Sequence, residues 1–524
     1  MNNHAINNPN RVQSLSAPIS SQYCNRGALT ILFLFILLPL SAQISLNLSG
    51  DSPLRKLQMA EIAISNFYVD KVDETKLAED AIKGMLKGLD PHSTYTNAKE
   101  TKEMNEPLQG DFEGIGIQFN MIADTLVVIQ PVVNGPSEKV GIVAGDRIVM
   151  VDDTPIAGVK MARTEIMKRL RGKKGTKVKI GIVRRGVKNK LNFIVTRAKI
   201  PIHTLNASYM IRPGIGYIRL ESFGAKTYDE FISAVDSLKQ KGMTNLILDL
   251  QDNGGGYLQS AVQIANEFLR DKDMIVYTEG RRVARQEFKA RGNGKLQNIS
   301  VYVLVNELSA SAAEIVSGAL MDNDRAVVIG RRTFGKGLVQ RPFNLPDGSM
   351  IRLTVAHYYI PSGRCIQKPY KKGDQEDYAM DLEKRLKHGE LTNPDSIHFD
   401  DSLKYYTVRK HRLVYGGGGI MPDYFVPLDT MKFTRFHRQL AVKNIIMDAY
   451  LKYVDTNRKS LRAKYTAFDA FVKSYEVPEN LIQNIVAEGK KQKIEPTDDA
   501  ERERTIAYIK LQIKSLVARD IWNM

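Results

Sequence analysis

The spacing of apolar positions changes several times along the chain, and each change predicts a different element. Leu54, Leu57, Ile62, Ile64 and Phe67 stand among polar neighbours, and Ala78, Ala81, Ile82, Met85 and Leu86 recur at helical spacing. Residues 53–90 therefore read as helices. The second stops at Leu89-Asp90-Pro91-His92-Ser93, because the residue before a proline is biased out of the helical region. From residue 110 the period falls toward two. Gly114-Ile115-Gly116-Ile117-Gln118-Phe119 leads into the alternating stretch Thr125-Leu126-Val127-Val128-Ile129. A short helix from Ala162 to Arg171 precedes a further strand, Val178-Lys179-Ile180-Gly181-Ile182-Val183. Short strands with few helices over 110–197 predict a small, β-rich, partly open barrel.

Residues 211–361 alternate strand and helix. Ile215–Leu220 reads as a strand, and Thr227–Lys241 as a helix with Tyr228, Phe231, Ile232, Val235 and Leu238 on one face and Gly242 as its stop. Leu246–Leu250 is a buried-type strand, and the turn Asn253-Gly254-Gly255-Gly256 opens a helix from Tyr257 to Leu269. Val301–Val305, Ser311–Met321 and Ala326–Ile329 continue as strand, helix and strand. The pattern predicts an α/β layer on a mostly parallel sheet. Residues 366–415 are charged and irregular and read as an insertion, while 435–524 read as charged helix with a basic bias.

The 524 residues exceed one compact core, at roughly 150 residues per domain. A 43% hydrophobic, 25% charged composition excludes a disordered, collagen-like or polytopic membrane chain. Lys+Arg number 75 against Asp+Glu 58, a formal charge of +17. A basic surface suits nucleic acid, yet no zinc spacing, RNP-like aromatic motif or basic zipper occurs, so a solvated basic face and no nucleic-acid partner are expected. Two cysteines, Cys24 and Cys365, exclude a disulfide framework. The histidines are scattered without a HExxH pair, and no metal or other cofactor is expected.

No acidic residue precedes Asp51. Arg11 and Arg26 come before an apolar run, Ala28–Leu38, which ends in Pro39-Leu40-Ser41-Ala42-Gln43. Residues 1–42 therefore read as a secretory signal. The run is short for a bilayer, which needs about 20 residues. An uncleaved signal anchor is the alternative and the sole membrane contact expected. Either way the expectation is an exported protein in the periplasm or cell envelope. Cleavage after Ala42 removes Cys24 and leaves Cys365 as a lone thiol.

Asn306-Glu307-Leu308-Ser309-Ala310-Ser311-Ala312-Ala313-Glu314 leaves a buried strand and starts a helix. A serine there has free backbone N–H groups and the positive end of a helix dipole beside it, a setting for acyl transfer. It is equally what an ordinary N-cap takes. Thr333-Phe334-Gly335-Lys336-Gly337 places a lysine in a tight loop after a strand. A desolvated lysine can act as a neutral base toward serine, whereas a solvated loop lysine cannot. A Ser-His-Asp arrangement using His357 and Asp249 stays open at this point.

Together these stretches resemble the C-terminal processing peptidases, or tail-specific proteases, of the S41 serine protease family. The resemblance rests on Leu89–Ser93, the Gly114–Phe119 loop, Leu248-Asp249-Leu250 with Asn253 and Gly255-Gly256, Ser309–Ala312 with Glu314, Thr333–Gly337, Tyr358 with Pro361-Ser362-Gly363-Arg364, and Gly419-Ile420-Met421-Pro422-Asp423. It covers about residues 53–430. After the signal peptide or signal anchor over 1–42, it implies an N-terminal helical region over 43–109, a PDZ domain over 110–197, a crotonase- or ClpP-like α/β peptidase core over 198–430 with 366–415 inserted, and a helical region over 431–524. By the same resemblance Ser311, not Ser309, is the nucleophile of a Ser/Lys endopeptidase. Lys336 is the base, Gln340 orients it, and Ala312 with the Gly254-Gly255 turn supplies the oxyanion donors. The PDZ domain should take extended substrate C-termini, apolar in character, beside Ile115, Ile117 and Phe119, with the Gly114 and Gly116 N–H groups on the terminal carboxylate. Arg171, Lys173 and Lys174 add positive potential nearby, or form a solvated turn. A homo-oligomer or an adaptor partner is compatible with this reading. The rivals are a catalytically silent PDZ scaffold or chaperone and a Ser-His hydrolase of the same fold. Two positions depart from the family: Gln251 where arginine is common, which questions an ion pair at the turn, and Cys365 where serine is common.

Overall fold

The computed structural model describes residues 52–429 and 431–522. The expected export segment, residues 1–42, lies outside them. The chain divides into two compact units, one up to Val72 and one from Asp73 onward. In the first, Ser52 accepts the Arg55 N–H and Pro53 opens the helix Pro53–Phe67. A serine cap followed by proline is a strong helix start, since the proline lacks only an N–H that would go unpaired anyway.

The second unit is built around a six-stranded sheet. Ile215–Leu220, Asn245–Asp249, Ser300–Val305, Val327–Gly330 and Tyr424–Phe425 run parallel in that order. Leu205–Arg212 closes one edge antiparallel. The apolar runs of Leu246, Leu248, Val301, Val303, Val305 and Val328 are buried, as strands covered on both faces require. The helices Thr227–Gln240, Leu258–Asn266 and Ala312–Asp322 contribute to the same core. Every residue of Ala312–Asp322 is buried. Its small residues allow this: a Cβ added to Gly318 would stand 2.8 Å from Ile360 Cδ1.

A second, antiparallel sheet carries the other half of the cleft. Thr94–Thr96, Met350–Tyr359, Met274–Gly280 and Val283–Lys289 are neighbours in that order, and Leu338–Asn344 also pairs with Met350–Tyr359. The region expected to be purely helical before residue 110 therefore supplies the strand Thr94–Thr96. It also supplies the helix Ala98–Gln109, whose capping box joins Asn97 and Glu100.

The strands over 110–197 form their own sheet, in the order Ile117–Ile122, Thr125–Pro131, Arg147–Val151, Lys177–Val183, Leu191–Thr196. They enclose a separate core that includes Leu126, Val128, Ile148, Ile166, Ile180 and Val195. Ile117–Ile122 is an edge strand of this sheet. A third core lies among the helices Arg435–Val442, Ile445–Lys464, Phe468–Ser474, Glu479–Lys491 and Asp499–Trp522.

Residues 366–415 depart from the expected irregularity. They contain the helices Gln375–Ala379 and Asp381–Lys387 and the strand pair Lys404–Tyr406 with Leu413–Tyr415. Buried Arg385 donates to the Thr333 and Arg332 carbonyls. Charged residues here do interior hydrogen bonding, so no hydrophobic period marks the helices in sequence. Among the described residues no helix is long and apolar enough to cross a membrane.

Candidate active site

The strand Ser300–Val305 ends at a buried turn, and the chain re-enters the core as the helix Ala312–Asp322. Between them Ser309 and Ser311 have opposite fates. Ser309 is fully buried; its hydroxyl donates to the Leu250 carbonyl at 2.7 Å and accepts the Asn306 N–H at 2.9 Å. It is committed to the fold. Ser311 is partly open to a cavity of about 530 Å³ and sits at φ 56°, ψ −114°. A non-glycine residue held there costs about 1–3 kcal/mol and persists only where the surroundings enforce it.

Glu314 is one of those surroundings. Its buried carboxylate accepts the Ser311 N–H at 2.8 Å, the Thr333 hydroxyl at 2.5 Å, the Gly335 N–H at 2.7 Å and the Lys336 N–H at 2.8 Å. Burial raises its pKa, and the four donors pull the other way. One side chain thus ties the backbone of Ser311 to the backbone of the lysine loop. Tyr358 adds a second tie: its hydroxyl bonds both the Ser311 and the Lys336 carbonyl oxygens.

Lys336 lines the same cavity as Ser311. Desolvation lowers its pKa, the Arg352 charge lowers it further, and Glu314 and Asp90 oppose both. Its Nζ makes no hydrogen bond to Ser311 among the described residues. Gln340 also lines the cavity, but its amide N–H groups go to the Leu338 carbonyl and the Thr354 hydroxyl, both at 3.3 Å. No bond from the Lys336 amine to Gln340 forms among the described residues.

The glycine turn presses against Ser311. A Cβ on Gly255, at φ 94°, would lie 2.8 Å from Ser311 Cβ and 2.9 Å from the Ala312 nitrogen. Only glycine allows that approach. Buried Asn253 fixes the turn by donating to the Leu220 carbonyl and accepting the Gly255 N–H at 2.9 Å. The Gly255 N–H is therefore spent, and of the expected oxyanion donors Gly254 and Ala312 keep theirs. Beside Gln251, Arg219 of the neighbouring strand stands 3.5 Å from Asp249 and 3.1 Å from Asp252.

His357 and Asp249 are not brought together. His357 Nδ1 lies 3.9 Å from Cys365 Sγ, Asp249 accepts the Tyr217 hydroxyl at 2.6 Å, and neither lines the Ser311 cavity. The structure instead brings in two residues that sequence reasoning quoted only as part of a motif. Asp90 accepts the Thr354 hydroxyl at 2.8 Å, and His92, bonded to the Tyr378 hydroxyl, is pulled down to about 4 by burial and by the Lys336 charge. Among the described residues no group of three or more His, Cys, Asp or Glu could hold a metal.

Before the PDZ sheet, Gly114 ends the strand Asp111–Gly114, which pairs with Ala198–Pro201 in a separate two-stranded sheet, and Gly116 is buried beneath Ile200 Cδ1. The Ile115 carbonyl accepts both the N–H and the hydroxyl of Ser137. Ile117 starts the edge strand, and Arg163 of the helix Arg163–Leu170 stands over the Phe119 ring. Arg171 is not a free cation: it pairs with Glu106 at 2.5 Å and stacks on Phe112. Lys173 and Lys174 remain exposed.

Comparison with known proteins gives concordant matches. The model of peptidase family S41 matches residues 214–379, a PDZ domain model residues 114–195, and the model of the activating protease CtpB N-terminal domain residues 41–101. A family of unknown function matches residues 436–523. The chain is 37% identical over 351 residues to the carboxy-terminal processing protease CtpA of Bacillus subtilis, covering 65% of this chain and 74% of that protein. It is 38% identical over 308 residues to a carboxy-terminal-processing protease of Bartonella bacilliformis, covering 57% and 69%. A solved structure of the photosystem II D1 C-terminal processing protease shares 30% identity over 60% of this chain and 91% of that one, with a TM-score of 0.35.

Proposed function

This chain belongs to the carboxy-terminal processing proteases of peptidase family S41 and is a serine-type peptidase with a PDZ domain, and from that premise we propose an exported endopeptidase that works by a Ser311/Lys336 acyl-enzyme mechanism. The observation that carries the assignment is the strained Ser311 and the desolvated Lys336 in one cavity, with Ser309 locked in the core. Neutral Lys336 takes the Ser311 hydroxyl proton as the oxygen attacks the substrate carbonyl. The Gly254 and Ala312 N–H groups hold the oxyanion. Collapse breaks the C–N bond, and the Lys336 ammonium gives its proton to the leaving amine. Water then repeats the sequence on the ester, with Lys336 again as base. The amine and the serine close to hydrogen-bond distance as substrate fills the cavity, since such bonds are commonly loose without it. Gln340 turns its carbonyl oxygen to the amine in that closed state. The core fold is of the crotonase or ClpP type.

Substrate C-termini add as a strand along Ile117–Ile122, the open sheet edge, with the Gly114–Ile117 loop at the terminal carboxylate. The test of the chemistry is a pair of variants. Ser311→Ala should lose nearly all peptidase activity and Ser309→Ala should retain turnover if it folds; the reverse pattern overturns the assignment. The test of recognition is C-terminal amidation of a peptide substrate, which should slow cleavage; equal rates for acid and amide would refute it. Cell fractionation should find the protein in the envelope, and full-length chain in the cytosol would refute export.

A further inference from the structure

The cavity around Ser311 holds a second cation that the proposed chemistry leaves unused. Arg352 lies on the strand Met350–Tyr359, and Met350, Arg352 and Tyr358 of that strand all line the cavity. The guanidinium is half-buried and, among the described residues, has neither a hydrogen-bond partner nor a carboxylate. Among the described residues no aspartate or glutamate lines the cavity. Three other interior arginines are answered. Arg364 meets Asp322 at 2.8 Å, Arg331 meets Glu307 at 2.6 Å, and Arg325 donates to the Phe268, Leu296 and Ile299 carbonyls. A partly desolvated charge is costly unless something pairs with it, and the space in front of Arg352 is the cleft itself.

We propose that Arg352 is a substrate subsite that receives a carboxylate of the bound peptide a few residues from the scissile bond, either the terminal α-carboxylate or an Asp or Glu side chain. The planar fork of a guanidinium takes a carboxylate through two parallel hydrogen bonds. Once Lys336 is neutral, Arg352 is the only charge lining the cavity among the described residues, so the cleft as a whole is built for an anionic group. Neutral amides at Asn105, Gln109, Gln340 and Asn344 leave the carboxylate no competitor. The inference rests on the serine-peptidase reading of this cavity and adds a substrate class to it.

The test uses the full chain and two peptide sets. One set carries an amidated terminus and a single Glu or Gln moved stepwise through the sequence; the other lacks acidic side chains and ends in a free acid or an amide at graded distances. The wild type should favour the carboxylate member of one set by about tenfold, expressed in KM. Arg352→Gln should erase that preference when each enzyme is compared on the alkaline plateau of its own pH profile. Arg352→Lys should restore part of it. The set that responds identifies the source of the carboxylate. A second readout is the pH profile. Lys336 is faced by Arg352, Glu314, Asp90 and His92, with Tyr257 and Tyr358 lining the same cavity, and removing only the Arg352 charge should move the acid limb of activity to higher pH. An Arg352→Gln enzyme that keeps the wild-type preference overturns the inference. On a Ser311→Ala background, peptide affinity read by fluorescence anisotropy makes the same comparison without turnover. If Ser311→Ala itself still cleaves, the reading of the site fails; if it is dead and Arg352→Gln matches wild type, only the carboxylate subsite fails.

Discussion

Under the proposed Ser311/Lys336 mechanism, Lys336 is the residue through which pH acts on this site. Desolvation is the largest cause of its lowered pKa, so the proton leaves below the ordinary lysine value and the neutral amine is populated nearer physiological pH. Activity should rise with pH through an apparent pKa below about 10.4, as a kcat/KM profile would show. Lys336→Arg should lose at least about a hundredfold, because guanidinium stays protonated. The same shift has a stability consequence. The folded state binds this proton less tightly than the unfolded chain, so the lysine opposes folding below its unfolded pKa, and the opposition fades as pH rises. Lys336→Met should therefore be inactive yet melt higher than wild type at neutral pH, with the advantage shrinking toward alkaline pH. Glu314 is the counterpart. Glu314→Gln puts an amide N–H₂ where donors converge on both oxygens, and should cost about 1–3 kcal/mol in denaturant unfolding. Activity should fall with it, because the serine and lysine backbones lose their common tie.

At the level of elements, the cleft depends on a loop and a helix start approaching more closely than side chains permit. Gly255→Ala would set a Cβ 2.7 Å from the Ala310 carbonyl oxygen, at a φ of 94°. The expected result is a loss of about 2 kcal/mol or more, read as a lower Tm, together with loss of turnover as Ser311 is pushed off position. The strand Met350–Tyr359 is the other shared element. It pairs with Thr94–Thr96, Met274–Gly280 and Leu338–Asn344, and so draws the Leu89–Ser93 motif and the lysine loop to one cleft.

For the molecule beyond the cleft, the helices after residue 434 share a core with the PDZ sheet. Val127 packs into their cluster, Ile122 borders it, and Asp455 pairs with Arg147 at 3.1 Å while Arg458 pairs with Asp520. Asp455 is 2% exposed and Arg147 31%, so water screens part of the pair. Asp455→Ala should destabilise by about 1 kcal/mol, and the Arg147→Ala/Asp455→Ala cycle should show a coupling of about 0.5–1 kcal/mol. Limited proteolysis of Asp455→Ala should cut the PDZ region faster than in wild type, if these helices hold that domain in place. Unchanged cleavage would refute the anchoring.

Local pattern determined the elements whose burial is one-sided or complete. The strands Ile215–Leu220 and Asn245–Asp249, the helix Thr227–Gln240 and the start of the helix at Ala312 follow from period, capping and glycine stops, and the motifs around Ser311 and Lys336 singled out two residues that line one cavity. The helices within 366–415 and the strand Thr94–Thr96 were not legible, because polar side chains with distant partners, such as Arg385 with Thr333, leave no period. The Gln340 amide direction, the spent Gly255 N–H, the pairing of Arg171 with Glu106 and the reach of Asp90 and His92 to Lys336 were decided only by tertiary structure. Each depends on which donors and acceptors, far apart in sequence, come within hydrogen-bond distance, and a desolvated pKa exists only once the fold has removed the water.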